Sequence, residues 1–158
     1  MATEDQFIVS RGGVIRSEEL VLVAAGLAAG VYTASVTVPA GSHIQDILVE
    51  GVALWNNGTS ATLKVGDAAD DDGYYTGVNL KATDLLADES LSFALAGGKA
   101  GAYIANSQVS PRYSASDRVI SAIVTTVGTV PTTGSTRIVV SWTQSTGAHL
   151  TFATYLAT

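Results

Sequence analysis

Tyr32-Thr33-Ala34-Ser35-Val36-Thr37-Val38 places Tyr32, Ala34, Val36 and Val38 on every second position, with Thr33, Ser35 and Thr37 between them. A period of two is the pattern of a half-buried β-strand, one face on a core and the other in water. Pro39-Ala40-Gly41-Ser42 ends the strand, because proline cannot donate to a ladder and glycine permits the turn.

Working outward, a second strand is expected from Ile44 to Trp55. Asn56-Asn57-Gly58-Thr59 follows it, and Asn-Gly between two β-like runs predicts a hairpin that returns through Ala61 to Val65. Gly66 to Gly77 reads as a polar loop. Thr83 to Glu89 fits a single helical turn capped by Thr83. Leu91 to Leu95 and Ala102 to Ala105 are expected as short strands about the turn Gly97-Gly98-Lys99-Ala100-Gly101, and Asn106 to Asp117 as a second polar connection. Val119 to Val127, Thr136 to Thr143 and Leu150 to Leu156 then form strands in an antiparallel meander. Their alternation turns Ile138, Val140, Trp142, Leu150, Phe152 and Leu156 inward with the residues of the first strand.

Roughly eight short strands with turn punctuation and no sustained amphipathic helix point to an all-β, antiparallel, jelly-roll-like sandwich. Residues 19–158 are expected to form this single domain. Met1 to Glu18 differs in character, being polar around one apolar patch, Phe7-Ile8-Val9, before Arg11-Gly12-Gly13, and reads as an extended N-terminal arm.

Composition agrees with a sheet protein. Of 158 residues, 47% are hydrophobic and only 14% charged, which excludes a disordered chain. The apolar share is mostly Ala and Val, and the β-branched Val, with Thr beside it, favours pleated sheets. A net charge of -6 argues against nucleic acid or an anionic membrane as a partner. Cysteine is absent, so disulfides, thiolate metal sites and cysteine nucleophiles are excluded. No basic start followed by an apolar core marks a secretory signal. Leu20 to Ala34 falls short of the ~20 apolar residues that a membrane-spanning helix needs, and Glu18-Glu19 precede it where a basic anchor would stand.

The chemistry-bearing residues are few. His43 and His149 are far apart in sequence, and no nucleophile elbow, zinc-protease pair or phosphate-binding loop occurs. Asp67, Asp70, Asp71 and Asp72 put four carboxylates in one loop, a weak calcium pattern in which Asp67, Asp70 and Asp72 are the metal candidates. The EF-hand spacing fails, since Ala68 and Asn79 occupy ligand positions, so a solvated turn is the simpler reading and no cofactor is expected. Tyr74-Tyr75 beside this loop, with Trp55 and Trp142, suggest a carbohydrate platform. Adjacent residues on a strand face opposite ways, so only one of the two tyrosines is expected outside.

Three segments carry a resemblance: Val38-Pro39-Ala40-Gly41-Ser42-His43-Ile44, Ala61-Thr62-Leu63-Lys64-Val65-Gly66-Asp67 and Asp71-Asp72-Gly73-Tyr74-Tyr75. Together they resemble a pattern of small virion structural proteins of tailed bacteriophages. The resemblance implies a capsid decoration or cement protein without catalytic residues, often trimeric, made in the host cytoplasm and bound on the capsid surface to the major capsid protein or another virion protein. Its candidate contact residues here are Phe7, Ile8, Val9 and Arg11 on the arm, Tyr74 and Tyr75, and Arg112 and Tyr113. A tail or fibre component, a carbohydrate-binding module and a small hydrolase are the alternatives.

Overall fold

The computed structural model describes residues 14–24, 30–105 and 112–144. Nine strands run through them: β1 (Ile15–Val23), β2 (Val31–Val38), β3 (Ser42–Ala53), β4 (Ser60–Gly66), β5 (Tyr75–Asn79), β6 (Ser90–Leu91), β7 (Tyr113–Ser114), β8 (Arg118–Val127) and β9 (Ser135–Gln144). One helical turn, α1 (Ala102–Ala105), and two 3₁₀ turns, Phe93–Leu95 and Gly97–Lys99, lie between β6 and β7. No helix among the described residues is long and apolar enough to cross a membrane.

The strands form two antiparallel sheets. In the first the order is β1-β9-β3-β6, with two-residue β7 also on β3; in the second it is β2-β8-β4-β5. Among the described strands, β4 and β5 follow one another in the second sheet and the two-residue β6 and β7 in the first, and every other link between successive strands crosses the sandwich. The two packed antiparallel sheets are the all-β sandwich that alternation and turn spacing predicted. Leu22, Val36, Val38, Ile44, Ile47, Val49, Leu63, Val65, Ile120, Val124, Ile138, Val140 and Trp142 fill the space between the sheets. The predicted inward set holds as far as the structure reaches: Val36, Val38, Ile138, Val140 and Trp142 are buried, and Tyr32 and Ala34 are half-buried. Leu150, Phe152 and Leu156, with the strand expected there, lie outside the described residues.

Several local expectations are corrected. β8 and β9 stand in opposite sheets, so the last third is not a meander. Nor does Asn57-Gly58 close a hairpin, because β3 and β4 also lie in opposite sheets. A tight type I′ turn needs positive φ at both central residues, and neither Asn57 nor Gly58 has it. Instead the Asn57 amide donates to the carbonyls of Ser60 and Val127, filling in for a ladder where the chain changes sheets. Ala102 to Ala105 is helical rather than extended, with the Ala105 N–H on Gly101 O at 2.9 Å. Leu91 to Leu95 keeps only a strand end before its 3₁₀ turn, and Thr83 to Glu89 is not helical. In that last segment side chains fix the backbone: Asp84 accepts the Asn79 N–H and Glu89 accepts the Leu86 N–H. The second half of the expected 66–77 loop opens β5 at Tyr75.

The end of the segment expected as an arm is a strand. Ile15 to Glu18 belong to β1 and pair with Thr143 to Val140 of β9. Met1 to Gly13 lie outside the described residues. Ile15 is thus the register partner of Thr143, which puts the first and last described residues side by side.

Trp55 plugs one end of the core. Its indole N–H donates to Thr136 Oγ1 at 3.0 Å, and Tyr32 meets it edge-on at 5.1 Å. Gly134, at φ 150°, passes so close that a Cβ there would sit 2.5 Å from the indole, and only glycine fits. Trp142 fills the other half of the core. Replacing Trp142 with Ala is expected to cost ~3–5 kcal/mol through lost burial and the cavity left behind. A urea titration with a midpoint near that of the parent chain would contradict this.

Candidate functional site

The sequence candidates converge on one end of the sandwich, where β2, β4 and β9 finish and β3 and β8 begin. The loop after β4 folds back tightly: Asp67 N–H donates to Asp70 O at 2.9 Å, and Asp67 Oδ1 accepts the N–H groups of Ala69 and Asp70. Gly66 makes this possible, since a Cβ there would lie 2.0 Å from Asp70 O. The turn α1 packs over the loop, with the Tyr103 N–H on Gly73 O at 2.7 Å and the Tyr103 hydroxyl donating to Asp67 Oδ1 at 3.1 Å. Burial first, and then that bond to a carboxylate, push the Tyr103 phenol up to about 12.

Arg118 clasps this structure to the sheet. Its Nε lies 3.7 Å from Asp67 Oδ2, and the two side chains are only 12% and 11% exposed. Its other nitrogens donate to the Tyr74 hydroxyl and to Tyr113 O, both at 2.9 Å. Tyr74 stacks on Phe93 at 5.8 Å and meets Tyr103 edge-on at 5.1 Å, while the Arg112 guanidinium sits 4.7 Å above the Phe93 ring. Tyr75 is buried beside them and donates to Ile47 O at 2.7 Å. Burial raises the ionisation of both tyrosines above the ordinary phenol value.

This geometry corrects the reading of Tyr74 and Tyr75. Both are fully buried, so neither forms a contact surface or a carbohydrate platform. Strand alternation fails here because Tyr74 precedes β5 and turns under the lid made by Phe93 and Tyr103. Trp55 and Trp142 are likewise core residues. Among the contact candidates, Tyr113 is 58% exposed and Arg112 is half-buried against Phe93. His43 is exposed on β3, opposite Tyr113 in register. Phe7, Ile8, Val9, Arg11 and His149 lie outside the described residues.

The carboxylates divide. Asp67 is committed to Arg118 and Tyr103, so the expected set of Asp67, Asp70 and Asp72 is not brought together; Asp70, Asp71 and Asp72 are, within 4.8 Å. Asp72 accepts from the Thr76 hydroxyl at 2.7 Å, which holds its carboxyl below the usual range. Its bond to Asp70 raises the latter, as two neighbouring carboxylates resist ionising together. Asp71 faces the Lys64 ammonium at 3.4 Å.

No protein-family model matches the sequence, and no curated protein matches it. Two solved structures resemble the whole sandwich. A chain of the cyanophage Pam1 capsid asymmetric unit aligns with a TM-score of 0.56 and 18% identity over 90% of this chain and 94% of that one. A chain of the acid-stable capsid of Helicobacter pylori bacteriophage KHP30 aligns with a TM-score of 0.57 and 14% identity over 85% and 90%. The likeness is one of fold.

Sequence reasoning missed the opposite end, where β1, β3 and β8 finish. Its segments 51–63 and 119–136 contain no Asp, Glu, Lys, Arg or His, and the charges there come from elsewhere in the sequence: Lys81 donates to the carbonyls of Asn57 and Gly58, and the backbones of Asp88 and Glu89 bond to Gly51.

Two predictions come from the clasp and its neighbour. Arg118→Met leaves Asp67 without its cation and is expected to lower stability by about 2 kcal/mol, below the fully buried case because some water reaches the pair; an unchanged urea midpoint would refute it. Asp84 lies 2.9 Å from the Lys99 ammonium. Burial opposes its ionisation, but the bonds to Lys99 and to the Asn79 N–H outweigh it and hold the carboxyl below the usual range. A depressed carboxyl adds stability above its unfolded value, and that stability is lost as pH falls through the folded one. Asp84→Asn is therefore expected to flatten the fall in melting temperature between about pH 4 and about pH 2. Parallel pH profiles for the two proteins would overturn it.

Proposed function

We propose that this chain is a non-enzymatic structural protein of a bacteriophage virion, binding a capsid lattice as a decoration or cement protein and working as a homo-oligomer, with a trimer favoured. The observation that carries the reading is the alignment of the entire sandwich with chains of two phage capsids. The rigid core supports it: a woven sandwich with both ends plugged by aromatics suits a part that bears load at a fixed position.

The arm is the first candidate contact. Residues 1–13 continue from β1, an edge strand of the first sheet. An extended segment adds to a neighbour's sheet edge through backbone hydrogen bonds, with alternate side chains entering pockets. Phe7 and Val9 share one side of such a segment and Ile8 takes the other, while Gly12 and Gly13 supply a hinge. Burying Phe7 in a neighbour gains ~1.5–3 kcal/mol, less the entropy of ordering the arm. Repetition around an oligomer multiplies such weak contacts through effective concentration. Tyr113 and Arg112 stand at the same end as the arm's attachment and form its second candidate contact.

Copies per purified particle, counted by mass spectrometry, test the role. A number comparable to that of the major capsid protein is expected; a handful of copies would favour a tail or fibre component instead. Deleting residues 1–13 is expected to leave the melting transition intact and to reduce occupancy on particles. Full occupancy by the truncated protein would remove the arm from the interface.

A further inference from the structure

Strand β1 is bonded on one side. It pairs with β9 from Ile15 to Val23, and among the described residues no strand lies along its other edge. The opposite flank of the sandwich is closed: β6 is only two residues long, and β5 meets Ala100 in a bridge to Tyr75 and the Lys99 ammonium at Gly77 O. The remaining edge, β2, carries no charge in its eight residues, so nothing along it marks a register. β1 does carry such marks. Arg16 stands beside Trp142 and Glu18 beside Val140, so both side chains belong to the row that points between the sheets. Trp142 and Val140 are buried, yet Arg16 and Glu18 are exposed. Among the described residues neither has an ion-pair or hydrogen-bond partner, although Glu19, the next residue, meets Arg137 at 3.4 Å. Inward charges on an edge strand deter indiscriminate pairing, because an added strand must supply their counter-charges.

We infer that the open edge of β1 pairs antiparallel with β1 of a second copy of this chain, about a two-fold axis at Ser17. The order of residues in Val14-Ile15-Arg16-Ser17-Glu18-Glu19-Leu20 selects that occupant. With Ser17 opposite Ser17, Arg16 of each copy stands opposite Glu18 of the other, and Val14 stands opposite Leu20. All four pairs fall on the inward row, where opposite charges in register support a ladder. Ile15 stands opposite Glu19 on the outer row, where the Glu19 carboxylate keeps Arg137. Other registers lose this match. Sliding by two residues sets Arg16 against Arg16 or Glu18 against Glu18, and like charges directly opposite resist pairing. Sliding by one turns the inward row of one copy against the outer row of the other. The free N–H and C=O groups of each edge satisfy one another, and the same patch serves on both copies, so the contact closes at two. It goes beyond the virion role and does not depend on it: a two-fold contact pairs copies whether or not a three-fold one also forms.

The test is sedimentation equilibrium of the full chain with Arg16→Glu, with Glu18→Arg, and with both substitutions together. The parent protein is expected to associate at micromolar concentration. Each single reversal sets like charges opposite one another twice across the two-fold axis and is expected to weaken association at least about tenfold. The double variant exchanges the two charges and keeps their complementarity, so its association is expected to return to within about threefold of the parent. The two single variants, each weak alone, are expected to associate when mixed, because each then supplies the charges that the other lacks. Circular dichroism melts verify folding, and damage to the fold would not be repaired by mixing. A parent chain that stays monomeric at about 100 μM overturns the contact, as does unchanged association of the folded single variants. Failure of both the double variant and the mixture to recover overturns it as well. Loss of association on deleting residues 1–13, with the reversals silent, also overturns it and assigns the edge to the arm. Copies per particle are measured separately: a monomer abundant on particles sinks the paired edge alone, and a dimer absent from particles sinks the virion reading alone.

Discussion

Small β-branched side chains bury little area apiece, so a sandwich built from valine, alanine and threonine depends on keeping its two sheets closely faced along their whole length. Two devices do this. The chain changes sheets at nearly every long connection, which stitches the layers together. Aromatic rings then close the ends, Trp55 at one and Trp142 with the tyrosine cluster at the other. Where a ring is seated, the backbone has been thinned to admit it, as Gly134 shows beside Trp55.

The ends closed in this way differ in chemistry. At one, arginines are consumed in holding structure: Arg118 bridges Asp67, Tyr74 and Tyr113, and Arg112 covers Phe93. Carboxylates outnumber the cations left over, so that end is acidic as well as ordered. At the other, amides and hydroxyls satisfy one another across the turns, and Lys81 donates to the carbonyls of Asn57 and Gly58.

Alternation was the legible part of the sequence. The run from Tyr32 to Val38 and the inward set Ile138, Val140 and Trp142 could be read because the period of two is imposed by the backbone itself. Connections were less legible. Asn57-Gly58 carries the composition of a tight hairpin, yet tertiary packing draws β3 and β4 into different sheets and assigns the Asn57 amide to Ser60 and Val127. Tyr74 and Tyr75 defeated the alternation rule because one precedes the strand that holds the other. The acidic loop looked like a ligand site for want of its partner: Arg118 is some fifty residues away in sequence, and nothing local announces that it meets Asp67.

The pairing of Ile15 with Thr143 has a practical consequence. Among the described residues, the first and last strands meet at one end of the first sheet, a geometry that suits joining Val14 to Gln144 in a circular permutant of the described sandwich. New termini cut into the turns that Asn56 and Thr132 join would then open at the opposite end from the acidic loop.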